Sequence, residues 1–157
     1  MLARLGPKVK RLAPERRRGS VDGMAGPEPL FGTSHFRVLI GRGEIGFSEV
    51  SRLTSETDAP DVVVLRRALT QATELYEWRR RVAGGEDDRR DVTIEMLDAA
   101  GGAVVNSWRL VGARPHRWSG PSFDAGGVAV AMEELELTYD DLVWLAAPDT
   151  IPTKERR

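Results

Sequence analysis

The sequence predicts a mainly β fold, a barrel or sandwich of about six strands with one short α-helix and a flexible N-terminal arm. Apolar and polar residues alternate along most of the body, as they do on a strand with one buried face. Turns rich in Gly and Asp separate these segments. Only one stretch shows the spacing of three and four that is typical of a helix. The 157 residues fit one domain.

The body begins with a predicted β-hairpin. Apolar residues alternate from Phe36 to Ile40, residues 41–44 form the turn, and residues 45–53 return as the second strand. A third strand, rich in β-branched residues, is predicted over residues 61–69.

The turn of this hairpin also satisfies the pattern G-x-G-x-x-G, over residues 41–46. A dinucleotide site requires a helix directly after that pattern, because the helix N-terminus receives the pyrophosphate. Residues 47–51 are strand-like instead. We therefore interpret the motif as a hairpin turn and expect no cofactor.

A single helix of about three turns is predicted next. Thr70 or Thr73 can cap its start, and the glycines at 84 and 85 end it. Its apolar residues share one side of the helix and are expected to pack on the sheet. They are Leu75, Trp78 and Val82.

A second hairpin and one further long strand complete the predicted fold. Residues 91–97 and 103–111 are the strands of the hairpin, and residues 98–102 are its turn. A loop that contains Pro115 then leads to the last long strand, residues 128–139.

Three acids on this last strand are candidates for a metal or acid/base group. Glu134 and Glu136 share one face of the strand, with Glu133 beside them. No second cluster of ligands completes such a site. We interpret the acids as a solvated or channel-lining stripe.

Nucleophilic catalysis is also disfavoured. The chain has no cysteine, and His35 and His116 are its only imidazoles. His116 lies in a Pro-Arg context that resembles no nucleophile elbow. We therefore expect a protein that is not an enzyme, with no metal and no cofactor.

The N-terminal segment differs from the rest in composition. Residues 1–18 hold seven basic side chains and one acid, and the Gly- and Pro-rich stretch that follows has few large apolar residues. We predict an arm over residues 1–32, a folded domain over 33–147 and a tail over 148–157, with Met24 as an alternative start. The arm could bind nucleic acid, which leaves a monomeric adaptor as an alternative of another class, although we expect no nucleic-acid partner.

Four sets of segments carry a family resemblance. They are residues 36–38 with 46–53, 65–70 with 75–78, 108–110 with 113–115 and 118–121, and 128–130 with 132–137. In this order they resemble the tail tube proteins of contractile phages and extracellular contractile injection systems, a family related in fold to the type VI secretion tube protein.

The resemblance implies a structural subunit that does no chemistry. Six copies would form a ring in which the sheets of neighbours join into one inner barrel, and rings would stack into a tube. The implied partners are other copies in the same and adjacent rings, the surrounding sheath, and the hub and spike of the baseplate. No apolar run approaches a membrane span or a secretory signal, so we expect assembly in the cytoplasm followed by incorporation into a particle.

One departure from the family concerns the connection between the second and third strands. Tube proteins of the family carry a long segment there that reaches the adjacent ring, whereas residues 56–60 leave room for a short turn only. We expect the terminal or initiator ring, which joins the tube to the hub, with the bulk repeating subunit as the alternative.

The expected assembly or channel-facing residues follow from the same resemblance. Charged residues on the third and last strands are candidates for the channel, and two aromatic residues and one acid are candidates for contacts. The set is Phe47, Glu49, Arg66, Arg67, Trp118, Glu134 and Glu136.

Overall fold

The computed structural model of the protein describes Leu30 and residues 32–146. The predicted arm and tail lie almost entirely outside the described residues. The boundaries placed at residues 32 and 147 therefore stay predictions.

The described residues form eight strands and one helix, a mainly antiparallel β fold as predicted. The elements are β1 (Phe36–Ile40), β2 (Gly43–Ile45), β3 (Glu49–Ser51), β4 (Asp61–Ala68), α1 (Glu74–Ala83), β5 (Arg90–Leu97), β6 (Val104–Ser119), β7 (Met132–Tyr139) and β8 (Asp141–Ala146).

The long strand β6 connects two groups of strands. In the first sheet, β2, β1, β5 and the first part of β6 are neighbours, and β8 pairs with residues 106–111 of β6. In the second sheet, the end of β6 pairs with β7, followed by β4 and β3. Because only Asp140 separates β7 from β8, these two strands accompany β6 through both sheets.

The passage from one sheet to the other occurs at Gly112. This residue has a φ of +66°, a conformation that favours glycine. A side chain here would also clash with the carboxylate of Asp140. The Asp140 N–H donates to the Val111 carbonyl at 2.8 Å. The residue that joins β7 to β8 therefore lies beside the point at which β6 passes between the sheets.

The core lies between the two sheets and beneath the helix. Leu75 and Trp78 of α1 are buried in it, as their spacing predicted. Residues of both sheets complete this cluster by contributing buried apolar side chains. They include Val38, Ile40, Val92, Ile94 and Leu110 from the first sheet, and Val63, Leu65, Leu135 and Leu137 from the second.

The first predicted hairpin is confirmed in part. β1 and β2 pair across a turn at Gly41, which has a φ of +61°. A strand follows the G-x-G-x-x-G pattern rather than a helix, which confirms the hairpin interpretation. The predicted strand 45–53 is wrong as a single element, because β2 ends at Ile45 and β3 pairs with β4 in the second sheet.

The helix is confirmed, and it starts after Thr73, one of the two expected capping residues, but without the expected side-chain cap. The Thr73 side chain makes no capping hydrogen bond in the described structure. Two acids in the first turn, Glu74 and Glu77, suit the positive end of the helix dipole instead. Gly84 ends the helix, and its N–H donates to the Arg80 carbonyl.

The region around Pro115 corrects the sequence prediction most. A loop was predicted after residue 111, but β6 continues to Ser119. Proline lacks the N–H that a strand ladder uses, and β6 accommodates it with a shift in register between Pro115 and Arg117. The last long strand begins at Met132 rather than Val128, and the apolar run after it forms β8.

Candidate assembly face

The second sheet has two chemically different faces. Residues that are partners across neighbouring strands lie on the same face of a sheet. On the outward face of the second sheet, such partners form two rows that run across the strands. The first row is Glu49, Arg66, Glu134 and Ser119, and the second is Ser51, Val64, Glu136 and Arg117. We call these eight residues the polar face. The opposite side of the sheet carries the buried residues of β4 and β7.

The first row is held together by one arginine between two acids. The Nη1 of Arg66 lies 3.6 Å from Oε1 of Glu49, and its Nε lies 3.2 Å from Oε2 of Glu134. All three side chains are roughly half exposed. Each pair is therefore worth at most about 1 kcal/mol to the single chain, and the row remains accessible to solvent and partners.

The second row contains a further ion pair of the same kind. The Nη1 of Arg117 lies 3.5 Å from Oε2 of Glu136, and the arginine is mostly exposed. Across both rows, three carboxylates stand against two guanidinium groups. The polar face thus carries charges of both signs, with a small net negative charge.

The buried face holds a compact charged network around Arg67. Its Nε donates to Oε2 of Glu133 at 2.6 Å, and its Nη1 donates to Oε2 of Glu74 at 3.2 Å. Arg67 is 8% exposed and Glu133 is 3% exposed. A buried pair of this kind needs all its hydrogen bonds, because each unpaired charge would be costly.

Aromatic side chains complete this network. The indole N–H of Trp118 donates to Oε1 of Glu133 at 2.8 Å, and the ring of Tyr76 meets Trp118 edge-on at 5.1 Å. The guanidinium of Arg67 lies 5.9 Å from the centre of the Phe47 ring, within the range of a cation–π contact. The network fastens the start of α1 to three strands of the second sheet.

The charges of the network shift two pKa values. The hydrogen bond from Arg67 lowers the pKa of Glu74, while partial burial opposes this shift. Burial lowers the pKa of Arg67, but the hydrogen bonds to Glu74 and Glu133 outweigh it and raise the pKa overall. Both groups are therefore held in their charged forms.

The structure divides the residues that the sequence singled out. Glu49, Arg66, Glu134 and Glu136 lie together on the polar face. The other three candidates, Phe47, Arg67 and Trp118, lie together on the opposite face. There Arg67 contacts the Phe47 ring, and both Arg67 and Trp118 donate hydrogen bonds to Glu133. Adjacent arginines on one strand thus have different environments.

One interpretation of the acids is wrong and one is confirmed. Glu134 and Glu136 share a face, as expected. Glu133 is not part of a solvated stripe, since it is buried against Arg67 and Trp118. Strand alternation is the sequence signal for this burial, because Glu133 is two residues from the buried Leu135 and lies on the same face of β7.

Both outer strands of the second sheet have a free edge. Among the described strands, none pairs with the side of β3 that faces away from β4. Residues 114–119 of β6 likewise pair with β7 only. Unpaired edges are ready sites for another chain.

Within residues 32–146, no group of three or more His, Asp or Glu side chains is placed to hold a metal ion. His116 is exposed on β6. No helix in this part of the chain is both long and apolar enough to span a membrane.

Comparison with known families decides the relationship. The family model for the T4-like virus tail tube protein gp19 matches residues 60–143, more than half of the chain. The chain belongs to this tail tube family. The match covers β4 to β7 and the first half of β8, and it includes both rows of the polar face on β4, β6 and β7. No curated protein matches the sequence.

Solved tube proteins share the fold. The tube of the extracellular contractile injection system PVC, in the extended sheath-tube complex, is 24% identical with a TM-score of 0.72, and the alignment covers 76% of this chain and 94% of that one. The terminating cap of the anti-feeding prophage tube gives 23% identity and a TM-score of 0.73, over 80% and 97% of the two chains. Hcp1 from Flavobacterium johnsoniae is 16% identical with a TM-score of 0.54, and the alignment covers 72% of this chain and 96% of that one.

The tail tube family and these neighbours are structural proteins rather than enzymes. The second sheet is distinguished by its polar face and by the free edges of β3 and of the end of β6.

Proposed function

We propose that this tail tube protein is a subunit of the inner tube of a contractile tail-like injection particle, and that six copies close a ring through the second sheet. The observation that carries the proposal is the pair of free edges, on β3 and on residues 114–119 of β6. Ring closure would pair these edges and remove the aggregation hazard that they present.

The directions of the strands allow this closure. β3, β4, β7 and the end of β6 are antiparallel in turn. An even number of alternating strands leaves the two outer strands running in opposite directions. β3 of one copy can therefore pair with β6 of the next as another antiparallel neighbour, and the sheet can continue around the ring.

The size of such a barrel follows from strand spacing. Six copies of four strands, spaced about 4.8 Å apart, would give a barrel about 115 Å around and about 37 Å across between backbones, before strand tilt widens it. This is an aqueous channel rather than a packed interior.

The polar face would line the channel. The other face of the sheet is covered by the core and by α1, which leaves the rows of Glu49, Arg66, Glu134 and Glu136 for the lumen. Phe47, Arg67 and Trp118 would act in the wall, where their network fixes the helix to the strands. A lumen of mixed charge stays hydrated and offers cargo no continuous apolar surface.

We further propose that the ring is the terminal or initiator ring, which joins the tube to the hub and spike of the baseplate. Only residues 52–60 connect β3 to β4. The connection is tied down, because the Tyr139 hydroxyl donates to the Thr54 carbonyl and the Glu56 N–H donates to the Asp61 carboxylate. A short, tethered connection supports a ring that lacks the usual long contact to an adjacent ring.

The remaining assembly follows from this position. We propose contacts with adjacent tube rings on one side, with the hub on the other and with the surrounding sheath, after assembly in the cytoplasm. Tube, cap and baseplate proteins all share the fold, so contacts rather than fold would decide the place of this ring. The bulk tube subunit is the alternative.

Negative-stain electron microscopy with mass photometry on the purified full chain tests the proposal. We expect six-fold rings that stay single until a hub or tube partner is added. Long stacks without partners would make the protein a bulk subunit. A strict monomer at high concentration would contradict ring formation and would favour the adaptor, whose DNA binding should then fall steeply with salt.

A further inference from the structure

The loop between β6 and β7 presents apolar side chains in an ordered way. A turn closes at its centre, where the Gly127 N–H donates to the Asp124 carbonyl at 2.9 Å and the Gly126 N–H donates to the Asp124 carboxylate at 3.1 Å. Phe123 and Val128 stand on either side of this turn. They are 90% and 99% exposed, although both are residues that proteins usually bury.

The same loop continues toward β7 as a segment of exposed small and apolar residues. Val130 is 71% exposed, and all four residues from 128 to 131 are exposed. They belong to no described strand, and the Ala131 carbonyl accepts a hydrogen bond from the Leu69 N–H at 2.9 Å, next to the start of β7. A turn that holds several large apolar groups in water is typical of a contact site. The loop therefore calls for a complementary apolar surface.

Such a surface lies beside the opposite edge of the second sheet. A cleft of about 350 Å³ opens between the end of the first sheet and β3. Its walls are mostly apolar, and its volume accepts one aromatic side chain with neighbouring groups. The lining includes Phe36, Val50, Leu53, Met96 and Trp108, with Glu49 at the β3 side.

Ring closure would bring the loop and the cleft together. Ser119, where the loop begins, and Glu49, beside the cleft, belong to the same transverse row of the sheet. Within one copy they are three strand spacings apart, about 14 Å. When β6 of one copy pairs with β3 of the next in the register that continues this row, the loop of the first copy stands next to the cleft of the second.

We propose that each subunit seats Phe123 of this loop in the apolar cleft of its ring neighbour, a second copy of the same chain. The inference rests on the ring proposed above. It adds an apolar anchor to an interface otherwise made of backbone hydrogen bonds and charged rows, and aromatic anchors in pockets often dominate binding energy.

Mass photometry of the full chain over a concentration series tests the anchor. We expect Phe123→Ser to raise the concentration at which half of the protein forms rings by about tenfold or more. Phe123→Leu should restore most of the assembly, and Ser122→Ala, next to it in the loop, should behave like the wild type. Because Phe123 is exposed in the single chain, the Phe123→Ser monomer should unfold at the same temperature as the wild-type monomer.

The cleft side is tested with Met96→Gln, a change that keeps the length of the side chain. It should also weaken ring formation, and its effect should largely disappear in the presence of Phe123→Ser, because both substitutions remove one contact. Rings that form equally well with Phe123→Ser, or two effects that simply multiply, would overturn the anchor and leave the ring intact. A wild-type chain that never forms rings would overturn both.

Discussion

Arg66 and Arg67 are neighbours in sequence, yet they belong to different parts of the proposed machine. Arg66 lies half exposed between Glu49 and Glu134, at distances of 3.6 Å and 3.2 Å. Arg67 is buried and bonded to Glu133 and Glu74. One strand thus separates a surface charge available for the channel from a buried charge that holds the wall together.

The contrast teaches how one sheet can serve two purposes. Side chains alternate across a strand, so a single substitution affects either the lumen or the packing but seldom both. Stability should therefore depend on Arg67 and its partners, while the properties of the channel should depend on Arg66 and its row. The predictions below test this separation.

The largest effect is expected from Arg67→Ala. The substitution leaves Glu133 buried without its cation, and the cost of breaking a buried pair is about 3–5 kcal/mol in the free energy of unfolding. Chemical denaturation of the purified chain measures it. A loss below about 1 kcal/mol, the value expected for an exposed ion pair, would remove the distinction between the two arginines.

A double substitution sharpens the same comparison. Arg67→Met combined with Glu133→Leu replaces the buried pair with apolar groups, which often restores stability. We expect the double variant to regain at least half of the loss seen with Arg67→Ala. The restoration should be incomplete, because Trp118 loses its acceptor on Glu133. A double variant that is less stable than Arg67→Ala would contradict this account.

The pH dependence of stability should include a small contribution from Glu74. Its hydrogen bond with Arg67 lowers the pKa of Glu74 in the folded chain below the unfolded value of about 4.3. The contribution is therefore complete above that value and is lost as the pH falls through the folded pKa. Since Glu74 is nearly half exposed, we expect less than about 1 kcal/mol.

Glu74→Gln provides the matched control for this effect. The variant should lose stability at neutral pH and show a shallower decline in the free energy of unfolding below about pH 4 than the wild type. Denaturation series at several pH values compare the two proteins. Parallel curves for wild type and variant would show that Glu74 does not contribute.

The smallest effect on the single chain is expected from Arg66→Ala. Both of its ion pairs are half exposed, so the free energy of unfolding should change by less than about 1 kcal/mol. Rings should still form, with a more acidic lumen. Unfolding as severe as that of Arg67→Ala would show that the polar face is structural.

Periodicity predicted much of the fold and part of the assembly face. The alternation around β1 and β5, the β-branched residues of β4 and the spacing of Leu75 and Trp78 identified those elements. The extension of β6 through Pro115 could not be predicted locally, since pairing with β7 and a register shift overcome the missing N–H. The division of residues 45–53 between two sheets likewise depends on tertiary pairing.

The assembly face shows the same limit. Strand alternation was sufficient to place Glu134 and Glu136 on one face. The same alternation places Glu133 and Arg67 on the opposite, buried face. The free edges of β3 and β6 follow from strand order, and no local pattern encodes strand order. The cleft beside β3 requires residues as distant as Phe36 and Met96, so sequence spacing alone could not reveal it.

Pairing of β3 with the end of β6 between copies is the central claim, and engineered disulfides test it most directly. The natural chain has no cysteine, and Ser51 and Ser119 lie on the polar face of the two edge strands. Within one copy these strands are about 14 Å apart, too far for a disulfide. Ser51→Cys and Glu49→Cys should each be combined with Ser119→Cys or Arg117→Cys, and Ser51→Cys with Thr138→Cys serves as the control. On oxidation, the account predicts a covalent ladder that ends at six copies for at least one edge pair and for no control; monomers alone from every pair would contradict it.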